Sequence, residues 1–380
     1  MLRLVRAALP ILTLLVVTNL AQGQYIALPI LSDGDNNPDA LGIVDNVTLA
    51  NQSGNGLVAF EGDDEGTALG EEFIFVSNAV NQILIRDGAI IAGPGVALDV
   101  ITAFSSYRHV DSAGNVVFDG ALTGALDVIC RNDVAILVEG GASPIGGATY
   151  ATFENPCMSD AGDIFVESDL STTTQDEVIV FVPFGGAASI LAMNGAGSLF
   201  QEGTLIIGGP LDAESWDDVG AFLNETCNSL GTFIVEGELE GALAANECVV
   251  RKQVGVDYEL LLREGDLVTS PIDGAVPFEA VTEVSLADGN NNWAIRGDLL
   301  DSVVTTARDN VVIADVGAGL QVIAQEGQDI SVETGITGTT LGAISAAQVN
   351  TAGTVVILAT VNDDGINLPP YDEAIFTWSA

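Results

Sequence analysis

Acidic clusters are the stretches whose residue types and spacing come nearest to a metal site. Oxygen-bearing side chains alternate along Asp33-Gly34-Asp35-Asn36-Asn37-Pro38-Asp39, and calcium takes six to eight oxygen ligands from loops of this kind. The complete EF-hand spacing and its terminal Glu are missing. Similar loop clusters are predicted at Glu61-Gly62-Asp63-Asp64-Glu65 and Asn362-Asp363-Asp364-Gly365, with a solvated turn as the alternative for each. Asp33 and Asp35 are our candidate calcium ligands.

Catalytic chemistry has weaker signals, and no catalytic residue is assigned. Paired carboxylates could support glycoside hydrolysis, but chance proximity is expected among 53 Asp and Glu residues. His109 is the only histidine; it lies in a predicted strand just before a turn, where we expect a structural role rather than a Ser-His-Asp triad. Trp216 lies in the acidic insertion 212–218, which we interpret as an exposed loop. It is the candidate ligand-binding residue.

One short hairpin pattern recurs six times and must position any such site. A turn-former is followed by Gly three residues later, and an apolar strand begins two residues further on, as in Asp111-Ser112-Ala113-Gly114-Asn115-Val116-Val117-Phe118. The first residue caps the turn through its side chain, and Gly takes the positive φ. The turn-formers are Ser53, Asp111, Ser159, Asn228, Asp288 and Asn350, and their partners are Gly56, Gly114, Gly162, Gly231, Asn291 and Gly353.

Two further short strands follow each hairpin, bounded by Gly, Asp and Asn. Four strands per unit and six units predict an all-β fold, a six-bladed β-propeller of four-stranded blades. The sixth unit lacks its fourth strand, and Tyr25–Asp35 has the character of one. We therefore expect residues 24–35 to form the outermost strand of the last blade and to close the ring, which removes an open sheet edge.

Composition and charge limit the partners and the location. The net charge of −43, with a single Lys, disfavours nucleic acid, which is bound through Lys and Arg. The acidity is explained by solubility in salt or by cation binding. Residues 1–23 combine a basic start, an apolar run and small residues, as in a signal peptide, leaving 24–380 as one propeller domain without a membrane segment. We expect a secreted, cell-surface or periplasmic protein, in which Cys130, Cys157, Cys227 and Cys248 permit disulfides whose pairing stays open.

The hairpin, followed by a strand ending in Glu-Gly as at Val138-Glu139-Gly140, resembles the repeats of exported bacterial propeller-like proteins of unknown function. The resemblance implies an exported propeller and carries no catalytic residues. We therefore expect a non-catalytic binding or scaffolding module, not an enzyme, with an extracellular ligand or surface as its partner. The alternative is a secreted polysaccharide hydrolase or lyase that uses carboxylates on one propeller face.

Overall fold

A computed structural model describes most of the chain beyond residue 43. The described residues are 44–52, 57–64, 72–77, 82–93, 96–124, 126–171, 176–193, 216–218, 227–239, 247–253, 259–287, 289–300, 303–305, 308–334, 337–362 and 373–379. The expected signal peptide, 1–23, and the expected closing strand, 24–35, lie outside them. The chain divides into two compact units, whose described parts lie within Leu9–Ile190 and Leu191–Ala380.

The first unit is built of strands throughout its described length. They are β1 (Val44–Gln52), β2 (Val58–Asp64), β3 (Glu72–Ser77), β4 (Gln82–Arg86), β5 (Ile90–Gly93), β6 (Val96–Val110), β7 (Val116–Leu122), β8 (Leu126–Arg131), β9 (Val134–Val138), β10 (Glu154–Met158), β11 (Ile164–Asp169), β12 (Glu177–Val182) and β13 (Ser189–Met193), which runs three residues past the boundary.

The second unit adds twelve strands and, among the described residues, one short helix. They are β14 (Trp216–Asp218), β15 (Thr232–Leu239), β16 (Glu247–Gln253), β17 (Glu259–Arg263), β18 (Leu267–Ser270), β19 (Gly274–Leu286), β20 (Trp293–Leu299), β21 (Asn310–Asp315), β22 (Gln321–Gln325), α1 (Ser331–Thr334), β23 (Thr340–Val349), β24 (Thr354–Asn362) and β25 (Glu373–Ser379).

Consecutive strands pair antiparallel and form six sheets of described strands. The sheets are β1–β4, β5–β9, β10–β13, β14–β17, β18–β22 and β23–β25. The second sheet curls until β5 and β9 meet at Ala92 and Val134. The structure is thus nearly all-β, as predicted. Its sheets hold three to five described strands, however, so four strands per sheet is not uniform.

The predicted hairpin turns are found wherever the whole turn is described. Gly114, Gly162, Gly231 and Gly353 have φ between 72° and 85°, and each donates its N–H to the carbonyl of the turn-former three residues earlier. The side chain of Asn228 accepts hydrogen bonds from the N–H groups of residues 230 and 232, at 3.0 and 3.1 Å. This is the capping that its residue type predicts.

The fifth turn differs from the prediction. Asn291 was expected to take the left-handed conformation, but Gly289 has it, with φ of 78°. Ala287 N–H donates to the carbonyl of Asn292, so the turn is built around the glycine. Glycine takes positive φ without the Cβ clash that opposes it in Asn.

Apolar faces of neighbouring sheets meet to form the core within each unit. In the first unit, Ile74 and Val76 of β3 belong to one buried cluster with Phe104 of β6 and Phe118 of β7. The rings of Phe104 and Phe118 meet edge to face, 5.4 Å apart. In the second unit, β20 and β21 pack against β23 in the same way. Stacking of sheet on sheet explains the alternation of buried and less buried residues along the strands.

The four cysteines are buried and free. Burial raises the pKa of the Cys130 thiol to about 12, so this thiol stays protonated at neutral pH. The permitted disulfides are therefore not formed in this structure.

Candidate functional site

The predicted calcium ligands cannot be placed. Asp33 and Asp35 lie outside the described residues. Within the described part of the chain, no group of three or more His, Cys, Asp or Glu side chains could hold a metal ion. The cluster at 61–65 was expected to be a loop, but Glu61, Asp63 and Asp64 lie in strand β2.

Trp216 lies in a strand rather than in the expected exposed loop. It begins β14 and is the register partner of Leu239 on β15. Its side chain lies outside the description, so its role as a ligand-binding residue stays a prediction.

His109 lies in β6 as predicted, and its side chain is buried. Its exposure of 9% fits the structural role that its place in a strand predicts, and a triad would have to be recognised by its geometry. The structure therefore gives no support to a triad.

Acidic residues are register partners across the second and third strands of three sheets. The register partners are Asp63 and Glu72, Asp169 and Glu177, and Glu238 and Glu247. Directly opposite residues project from the same face of an antiparallel pair. Each pair stands at the end of β2, β11 or β15, where the chain leaves for the third strand.

Glu72 lies close to other carboxyls of the first unit. Its Oε2 accepts a hydrogen bond of 3.2 Å from the N–H of Phe104 in the next sheet, and its backbone carbonyl accepts one from Asp87 N–H. Asp87 is buried, and its Oδ1 has no hydrogen-bond partner among the described residues. Glu72 thus lies beside a second carboxyl that water hardly reaches.

Burial raises the pKa of Glu72 above its ordinary value of 4.5. The Phe104 hydrogen bond opposes this rise, while the negative charges of Glu61, Asp63 and Asp87 increase it further. A carboxyl that holds its proton next to an ionised one can act as a general acid. This pair of roles is the minimum that glycoside hydrolysis requires.

Sequence reasoning missed Glu72 and Asp87, although a signal was present. Acidic residues recur at or next to the start of the strands that follow the hairpin strands, at Glu72, Asp127, Glu177, Glu247 and Glu373. Aligning the repeats on these acidic positions, rather than only on the turn glycines, would have identified them as a recurring set.

Comparisons with known proteins give only distant likenesses. No protein-family model matches the sequence, and the search of curated proteins found no match. The structure is similar to a Penicillium chrysogenum α-L-arabinanase complexed with arabinobiose (10% identity, 87% of this chain and 92% of that chain, TM-score 0.39). It is also similar to a Bacteroides caccae protein of unknown function (11%, 78% and 81%, TM-score 0.31) and to Trypanosoma rangeli sialidase with sialic acid (10%, 97% and 58%, TM-score 0.34).

These neighbours are β-propeller-type proteins, and two of the three are named as glycosidases. Against these names, the prediction of a non-catalytic binding or scaffolding module is wrong. TM-scores below 0.5 assign no activity to this chain, so its chemistry is argued from its own side chains. None of the described helices has the length and apolar character to cross a membrane.

Proposed function

We propose that this protein hydrolyses glycosidic bonds of a neutral polysaccharide, with Glu72 and Asp63 as its two catalytic carboxyls. The observation that carries the proposal is the partly buried Glu72 carboxyl, with its raised pKa, directly across the sheet from Asp63. Glu72 donates its proton to the glycosidic oxygen as the bond to the anomeric carbon breaks.

We infer a retaining mechanism, in which the two carboxyls stand about 5–5.5 Å apart. Directly opposite residues of an antiparallel pair project from the same face of the sheet, so both carboxyls are available to one sugar ring. Asp63 attacks the anomeric carbon and forms a glycosyl ester. Water then replaces Asp63 at that carbon and gives its proton to Glu72, which restores both groups.

Charge supports hydrolysis over elimination. A lyase removes a proton beside a sugar carboxylate, so its substrates are acidic polymers. A chain of net charge −43 repels such polymers at long range. Neutral polymers carry no such penalty.

The experiment compares E72Q and D63N with E177Q as the matched control. Glu177 also faces a carboxylate, Asp169, but Asp169 is exposed and accepts a hydrogen bond from Thr152 Oγ1. Reducing-end release from xylan, arabinan and β-glucan should fall by about 10²–10⁴ in E72Q and persist in E177Q. An aryl glycoside, whose leaving group needs no proton, should restore the first step, seen as a burst of released phenol, in E72Q but not in D63N.

Three results would count against the assignment. The wild-type chain could release no reducing ends from any of the three polymers, E72Q could remain fully active, or E247Q could abolish activity while E72Q does not. The last result would transfer the site to the pair Glu238 and Glu247. NMR of the first product formed tests the stereochemistry, since a retaining enzyme keeps the anomeric configuration.

For the architecture, we infer a ring of six blades, completed by residues 24–35 and exported after removal of 1–23. The sheet β23–β25 has three described strands where the other sheets have four or more, which supports the need for an added strand. An extracellular location suits a polysaccharide substrate.

A further inference from the structure

An exposed aromatic ring is fixed in place beside a groove of the first unit. Phe184 is 68% exposed. The guanidinium carbon of Arg131 lies 4.5 Å from the centre of its ring. Its backbone N–H donates to Asp163 Oδ1 at 2.9 Å. One face of the ring is thus covered by a cation and its backbone is anchored, while much of the ring stays open to solvent.

The turn glycine of the third hairpin makes room for this arrangement. Arg131 Nη1 donates to the carbonyl of Gly162 at 2.9 Å. A Cβ on Gly162 would lie 2.8 Å from Phe184 Cδ2 and 3.0 Å from Arg131 Nη1. Gly162 therefore provides both the turn and the space in which ring and guanidinium pack.

The arginine contact recurs in the second unit, but the aromatic partner is not described there. Arg251 Nη1 donates at 3.0 Å to the carbonyl of Asn291, in the next turn along the chain. This arginine lies on β16, which follows the hairpin strand β15, just as Arg131 lies on β8, which follows the hairpin strand β7. The repeated architecture thus explains the contact of the arginine with the next turn. That contact does not require Phe184.

The groove beside Phe184 is polar and of ligand size. It has a volume of about 390 Å³, and its lining includes Asp133, Asp160, Asn115 and Arg131. Asp133 and Asp160 are exposed. One oxygen of Asp160 accepts the N–H of Ser112 at 2.7 Å, which leaves its second oxygen for another donor.

We propose that this groove binds a neutral saccharide, with the apolar face of one pyranose ring stacked on Phe184. Sugar hydroxyls then donate to the carboxylates of Asp133 and Asp160. An anionic ligand is disfavoured because these carboxylates flank Arg131, which is already engaged with Gly162. Because the aromatic ring is held before binding, little side-chain freedom is lost when a ligand stacks on it.

The inference that the ligand is a saccharide rests on the proposed function. The groove itself, however, shares no residue with the proposed catalytic pair. Neither Glu72 nor Asp63 lines the groove. The groove would hold a polymer chain to the protein while another part of the chain is cleaved.

The test is calorimetric titration of the full chain with cellohexaose and xylohexaose, whose pyranose rings present flat C–H faces. An E72Q background keeps the ligand from being consumed. F184A should weaken binding about tenfold, as loss of an aromatic stacking contact does. F184W, which keeps a flat ring, should bind as E72Q alone does. The matched control is L267A, because Leu267 is equally exposed, at 71%, and lies outside the groove.

The outcomes separate this proposal from the catalytic one. Equal affinity of F184A and its parent, or no binding of either oligosaccharide, would overturn the groove proposal and leave the E72Q hydrolysis result as it stands. Loss of affinity in F184A with unchanged hydrolysis in E72Q would support the groove and refute Glu72 as the catalytic acid.

Discussion

Replacing Arg296 by Met should destabilise the second unit strongly, because it leaves a buried carboxylate without its cation. Arg296 Nε donates to Glu283 Oε2 at 3.0 Å, and the two side chains are 19% and 9% exposed. The same carboxylate oxygen accepts the N–H of Ala347 at 3.3 Å, and Arg296 Nη1 donates to the carbonyl of Ile344. The pair thus ties β19 and β20 to β23 of the next sheet.

The magnitude follows from burial. Removing one partner of a buried ion pair costs about 3–5 kcal/mol of unfolding free energy. Burial already raises the pKa of Glu283, and Arg296 is the main opposing influence. Loss of Arg296 should raise the pKa of Glu283 further. At pH values above the raised pKa, each further unit lowers the free energy of unfolding by about 1.4 kcal/mol. The penalty is absent below the ordinary pKa and grows as the pH rises through it, so R296M should be much closer to wild type at pH 5 than at pH 7.5.

Urea unfolding, followed by tryptophan fluorescence, measures this loss of unfolding free energy in R296M. The three tryptophans all lie after residue 190, and Trp293 is buried in β20 beside the pair, so fluorescence reports on the second unit. R308M is the matched control. Arg308 pairs with Asp273 at 3.1 Å but is 37% exposed, so its loss should cost less than about 1 kcal/mol. A loss in R296M that is the same at both pH values, or no greater than that of R308M, would refute the reasoning.

Three further predictions concern turns, thiols and pH. Gly231→Ala should lower the free energy of unfolding by about 1–2 kcal/mol, because φ is 72° there although a Cβ would meet no steric contact. The control, Gly146→Ala, has ordinary φ and open space around it, so it should change the melting temperature little. A thiol reagent should label none of the four cysteines in native protein and all four in guanidinium. All four are buried, and burial raises the pKa of Cys130 to about 12. Labelling of the native protein would contradict this burial. The melting temperature should rise from pH 7.5 to pH 5, because burial raises the pKa values of Glu72 and Asp127. Such groups stabilise the fold fully below their ordinary pKa and lose this contribution as the pH rises through the raised pKa of the folded state. A lower melting temperature at pH 5 would contradict this sign.

Local chemistry explains why the strands could be predicted so well from the sequence. The turn pattern acts between residues three apart, so Gly114 and Gly162 identify their hairpins without reference to the rest of the fold. The strands that follow begin at Val116 and Ile164 as predicted. The short strands β5 and β18 were not predicted; each follows an acidic-Gly pair, at Gly88 and Gly265, which is a turn signal.

The candidate site was harder to predict because its character depends on burial. Glu61 and Asp63 alternate with Phe60 and Gly62, which are more buried, and this period of two is a strand pattern. Their charge suggested a loop instead. No sequence pattern distinguishes Glu72 from Glu177. The difference lies in the packing of the next sheet over Glu72, which only the folded chain shows.

That packing also gives the acidic residues a role besides solubility. Strands β6, β19 and β23 each have register shifts near the middle, beside Phe104, Val281 and Ala347. A register shift releases a backbone N–H from the ladder, and a buried N–H without an acceptor is costly. In all three places a carboxylate of the preceding sheet accepts the hydrogen bond of this N–H. These carboxylates belong to Glu72, Glu247 and Glu283. An ionised carboxylate accepts such a bond more strongly than a neutral group. These acids therefore join one sheet to the next.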